Sequence, residues 1–116
     1  MVTRRAKLAE LARLAQLKSD LELKRFAAFS SNVDATRKRI TQQDAAIAWY
    51  RSSQAPDSLD ESNLASLRLG DATREAARAR QELSHMLPRF DQARQRAAGE
   101  FGRAAVLRRL SERDDQ

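Results

Sequence analysis

The residues able to do chemistry are few, and their spacing does not suit a catalyst. His85 is the single histidine among 116 residues, and cysteine is absent. A lone imidazole with no nucleophile beside it and no acid to orient it makes a poor general base. Metal sites need several ligands at fixed spacing, and the sequence offers neither a second histidine nor carboxylates clustered in register. No glycine-rich loop follows a strand, so nothing is laid out to cradle phosphate. No catalytic, cofactor-binding or metal-binding residue is assigned, and no cofactor is expected. The chain reads as a non-enzyme. Disulfides are excluded with the missing thiols.

Charge is the more informative chemistry. Twenty-two basic against 16 acidic side chains give a net charge of +6. Residues 1–25 carry seven basic and three acidic groups, and residues 89–113 carry the same numbers. Around the centre stand Asp57, Asp60 and Glu61, with Arg51 the nearest base. Such a distribution can steer an acidic partner, and the effect weakens with salt. Simple solvation of helix faces in an arginine-rich chain reads equally well. Nucleic acid is a weaker candidate, because acids are interspersed among the bases and no aromatic stacking platform is present.

The elements that position these groups are helices. Alanine supplies 21 residues, with only two prolines and three glycines in the chain, a composition suited to long helices and poor in bulky core material. One seam reads Phe26, Phe29, Val33, Thr36, Ile40, Gln43, Ile47, Tyr50. A second reads Ala65, Leu69, Ala72, Ala76, Ala79, Leu83, Met86, Phe90, Ala93, Ala97. Both alternate steps of four and three, the period of a coiled coil. Between them lies Ser52-Ser53-Gln54-Ala55-Pro56-Asp57-Ser58, the one stretch built to turn. The expectation is an all-α fold: two long helices in an antiparallel coiled-coil hairpin, kinked near Pro88, as a single unit over residues 1–116. Helix 1 is placed at about 3–53, the turn at about 54–58 and helix 2 at about 59–112.

Folding about Pro56 pairs Ile47 with Ala65, Ile40 with Ala72, Val33 with Ala79, and Phe26 with Met86. It also pairs Gln43 with Leu69, Thr36 with Ala76, and Phe29 with Leu83, so that large residues oppose small ones. Thr3 and Ser58 stand as helix caps, Ser58 and Glu61 forming a capping box. Pro88 removes one helical hydrogen bond and should kink the helix rather than end it. Leu8, Leu11, Leu14, Leu17, Leu21 and Leu23 give helix 1 a broad apolar stripe that joins the seam by drifting. Gly99-Glu100-Phe101-Gly102 should shift the second seam to Phe101, with Val106, Leu107 and Leu110 resuming it. Trp49 falls outward, either as an anchor for a partner or folded over the turn. Lys7, Glu10, Arg13 and Lys18 break up any secretory signal, and no run is long enough to span a membrane. A cytoplasmic protein is the expectation.

Leucine-rich first helix, central Trp49-Tyr50 and the arginine-rich end Leu107-Arg108-Arg109-Leu110-Ser111-Glu112-Arg113 together resemble the FliJ family of flagellar export proteins. Virulence-secretion relatives of the YscO type are similar in kind. The resemblance implies a stalk whose open end enters a hexameric export ATPase, with an export gate protein and substrate chaperones as further partners. It implies contacts with the ATPase through Arg4, Arg5, Leu8, Leu11, Arg103, Arg108 and Arg109, and with the gate through Trp49 and Tyr50. It places the protein at the cytoplasmic face of the export apparatus, reaching the membrane through partners only. The rival reading is a self-associating coiled coil in which two hairpins form a four-helix bundle and the surplus leucines are the dimer surface.

Overall fold

A computed structural model describes residues 3–52 and 58–114. It is all-α: α1 spans Arg4–Ser52 and α2 spans Leu59–Asp114, forming a coiled-coil hairpin. Both starts are capped as their sequences require. The Ala6 amide donates to Thr3 Oγ1 at 3.1 Å, and the Glu61 amide to Ser58 Oγ at 3.1 Å, so hydroxyls satisfy amides that have no helical partner. Of the turn expected at about 54–58, residues 54–57, Pro56 among them, lie outside the described residues.

Two compact units divide the hairpin. A terminal unit holds residues 1–30 and 89–116, and an inner unit holds residues 31–88. In the inner unit the seam closes over Val33, Thr36, Ala72, Ala76 and Ala79, all buried. Thr36 Oγ1 lies 3.1 Å from the Asn32 carbonyl and 3.4 Å from Met86 Sδ, so its hydroxyl is satisfied inside the seam. In the terminal unit Phe26 and Phe29 both pack on Phe90, with ring centroids 5.2 and 6.4 Å apart. Ala97 and Ala104 are buried farther along α2. Alanines let the helix backbones approach closely, but each removes little apolar surface from water.

Pro88 does not interrupt α2. Its side is exposed, two residues past seam Met86, while the seam passes on to Phe90. The ring costs about 3 kcal/mol relative to alanine, which the packing on either side must offset. The seam is also more regular than the sequence suggests. Burial on α2 continues through Glu100 and Ala104 to half-buried Leu107, leaving Phe101, Val106 and Leu110 exposed. Gly99 and Gly102 therefore cause no shift, because both face outward while the buried phase runs past them.

Pairing differs from the arrangement about Pro56. Thr36 meets Met86 rather than Ala76, and Phe29 meets Phe90 rather than Leu83. Phe26 also meets Phe90, Arg39 reaches Glu75 and Glu82, Asp44 meets Arg80, and Lys18 meets Glu100. Partners on α2 thus lie about one heptad farther along the chain than expected. A slip of seven residues keeps every seam position in the seam, so hydrophobic phase alone does not choose between the two registers. The first turns of α2 then run past Ser52 at the end of α1, and Leu59, Leu64 and Leu67 are exposed there.

The register has a direct check. In this cysteine-free chain, a short thiol-specific cross-linker should join Thr36→Cys to Met86→Cys. Thr36→Cys with Ala76→Cys should not react, since ten residues of helix displace the target by about 15 Å. The reverse result would restore the pairing about Pro56.

Candidate interaction surface

With the buried seam as positions a and d of a heptad, positions g and c lie on one side of each helix and e and b on the other. The inner unit shows how the sides meet. Arg39, a g residue, donates to two other g residues, Glu75 at 2.5 Å and Glu82 at 2.7 Å. On the opposite side Arg80 donates to Asp44 at 2.5 Å, both e residues. Like sides of antiparallel helices therefore adjoin, and each side of the hairpin is one surface built from both helices.

In the terminal unit the g and c side is chemically one-sided. It presents Arg4, Lys7, Lys18 and Arg25 from α1 and Arg89, Arg96, Arg103 and Arg113 from α2, with no acidic residue among them. Exposed Leu11, Leu14 and Leu21, together with Val106 and Leu110, lie between these bases. An open apolar groove on α2 is lined by Ala98, Gly99, Gly102, Arg103, Val106 and Leu107. The e and b side balances Arg13, Arg94 and Arg108 against Asp20, Asp91 and Glu112. The terminal unit holds 14 basic and 8 acidic residues, the inner unit eight of each. The whole net charge of +6 therefore belongs to the terminal unit.

The expected leucine stripe is where the structure departs most from the sequence reading. Leu8 alone is half-buried in the seam. Leu11, Leu14, Leu17 and Leu21 are 48–59% exposed, and Leu23 is exposed on the other side. Their places in the seam are taken by Ala12, Ala15, Ser19 and Glu22. The seam of α1 does not drift, because winding against α2 holds it at 3.5 residues per turn. Extending the Phe26 phase backward at that strict spacing would have shown the leucines to be outside.

Polar groups inside this part of the seam are held by the basic flank. Glu100 takes a 2.9 Å hydrogen bond from Arg103 and lies 3.5 Å from Lys18, and Glu22 takes 3.0 Å from Arg25. Both carboxylates are buried with 10% side-chain exposure, where an unpaired charge is costly. Ser19 is fully buried and its hydroxyl has no partner among the described residues.

Of the residues assigned to the ATPase-facing end, Arg4, Leu11 and Arg103 share the all-basic side. Arg5 is exposed at a seam position, Leu8 is in the seam, Arg108 lies on the balanced side and Arg109 points away from α1. Sequence reasoning missed Lys7, Leu14, Lys18, Arg25 and Arg96 as members of that surface. In the inner unit Trp49 is 64% exposed and makes an edge-to-face contact with Tyr50, centroids 5.0 Å apart. The indole faces outward as expected, while the turn over which it could fold lies outside the described residues. Tyr50 is half-buried in the seam, His85 is exposed, and no metal-holding group of acids and histidine occurs among the described residues. No helix is long and apolar enough to cross a membrane among those residues. No family model, curated relative or solved structure matches the chain.

Arg39 joins two carboxylates of the inner unit. Its guanidinium, hydrogen-bonded to Glu75, holds that carboxyl below the usual carboxylate range. Because the folded-state pKa is depressed, the stabilisation is present at neutral pH and is lost as pH falls through the Glu75 pKa. Glu75→Gln should lower stability only slightly at pH 7, since the pair is solvent-screened. In thermal melts from pH 7 to 2, the variant should lose less stability on acidification than the parent. Parallel pH profiles would remove Glu75 from the account.

Proposed function

We propose that the chain is a helical-hairpin stalk of a flagellar, type III protein export apparatus. It acts by binding and not by catalysis, docking its basic terminal unit into a hexameric export ATPase. One observation carries the reading: exposed leucines stand among bases on a single side of the terminal unit whose g and c positions hold no acid. That combination suits an acidic recess with an apolar floor, where charge guides the encounter and leucines hold the docked state. The exposed Trp49 supplies a separate aromatic anchor, suited to a gate protein or a chaperone.

The ATPase reading predicts co-purification of the chain with the hexamer when both are co-expressed. Leu11→Asp with Leu14→Asp should abolish the complex and leave helicity unchanged, because both leucines lie outside the seam. Trp49→Ala should leave the ATPase complex intact. Failure of the parent chain to co-purify at low salt would end this assignment.

A second reading has gained support from the same surface. Acids interspersed along the sequence argue against nucleic-acid binding, yet in the terminal unit they segregate away from the g and c side. A row of bases without acids can track phosphates, with affinity falling steeply as salt rises. Short duplex DNA should then bind at low salt and release as ionic strength increases, with a shallower salt slope for Arg96→Gln with Arg103→Gln. No binding at low salt would remove nucleic acid from consideration.

A further inference from the structure

Two exposed stripes of the chain match each other in spacing and oppose each other in charge. On α1 in the terminal unit, Lys7, Leu11, Leu14 and Lys18 follow one another at steps of four, three and four. On α2 in the inner unit, Asp60, Leu64, Leu67 and Asp71 follow at the same steps. Steps of three and four place successive residues on one helix face, so each stripe is two leucines closed at both ends by like charges. All eight residues are exposed, so neither stripe is covered within the chain.

We propose that these stripes are the two halves of one interface between copies of this chain. The α1 stripe of one copy packs on the α2 stripe of another, leucines against leucines and each lysine beside an aspartate. Each stripe reads the same in both directions, so the charges match whether the two helices run parallel or antiparallel. The availability of both halves follows from the fold. Strict seam spacing turns Leu11 and Leu14 outward, and the one-heptad register carries the Leu64 and Leu67 region past the end of α1.

The charges are not used up locally. Asp71 Oδ1 accepts from Arg74 within α2 and its carboxylate has a second oxygen. The Lys18 ammonium lies 3.5 Å from Glu100 and is itself largely exposed. Because the interface joins two different surfaces, it either closes reciprocally into a dimer or continues from copy to copy. The proposal goes beyond the stalk reading and stands without an ATPase. It also places Leu11 and Leu14 in two competing contacts, so a self-associated copy cannot offer them to a ring.

Sedimentation velocity on the full chain across a concentration series tests this. A dimer, or a series of larger species, should form at low salt and weaken as salt rises. Lys7→Asp with Lys18→Asp should weaken association by roughly tenfold or more, as should Asp60→Lys with Asp71→Lys. Mixing the two variants should restore it, since each then supplies the half that the other lacks. If a reversal disturbs folding by circular dichroism, Leu64→Ser with Leu67→Ser replaces it and should give the same loss. A monomer at every concentration in low salt would overturn the proposal. So would association that survives Asp60→Lys with Asp71→Lys, since the partner surface would then lie elsewhere.

Discussion

The hairpin depends on a seam of unusually small side chains. Among the described residues, Val33 is the one buried hydrophobic residue that is not alanine. Alanines at Ala72, Ala76, Ala79, Ala97 and Ala104 make room for the larger seam residues, such as Phe26, Phe29 and Phe90, and dispersion contacts accumulate along the line. The apolar area removed from water per residue is nevertheless small. Such a core works only if it is continuous, and that explains why the 3.5-residue spacing is kept even where better hydrophobes stand one position away. Leu11, Leu14 and Leu21 are excluded by phase, not by chemistry.

Polar groups then carry more of the specification than in a leucine-packed coil. Thr36 in the inner unit and Ser19, Glu22 and Glu100 in the terminal unit occupy seam positions. Polar seam residues cost stability and discriminate between registers. Glu100 is held by Arg103 of its own helix and by Lys18 of α1, so a slip along the seam would cost this buried carboxylate its contact across the seam but leave Arg103 in place. Arg39 does the same for the inner unit by holding Glu75 and Glu82, seven residues apart, in one guanidinium fork. The hydrophobic pattern thus sets the phase, and the ionic contacts select among its equivalent alignments.

This division explains what could be read in the sequence. The fold class, both caps and the seams from Phe26 to Tyr50 and from Ala65 to Ala97 follow from periodicity and local hydrogen-bond chemistry. Register does not, because a heptad repeat is blind to shifts of seven and the Arg39 and Glu100 contacts appear only in three dimensions. The leucine stripe misled because apolar character was given more weight than phase. The one-sided basic surface was hidden for a related reason. Acids and bases alternate along the chain, and only projection onto the heptad separates Asp20, Asp91 and Glu112 from the bases across the helix.

Gly99 and Gly102 give this arrangement a further consequence. A methyl group added at either position would meet nothing within 4 Å, so the hairpin itself does not require their small size. Each costs about 1 kcal/mol of helix propensity relative to alanine, a penalty unrelieved by any internal packing. The bare stretch of main chain they leave beside Val106 is therefore a shallow notch whose depth can be altered one carbon at a time. Filling it with alanine, then with valine, separates two quantities that most surface substitutions confound: how well the helix holds itself, and how near another molecule comes to its backbone.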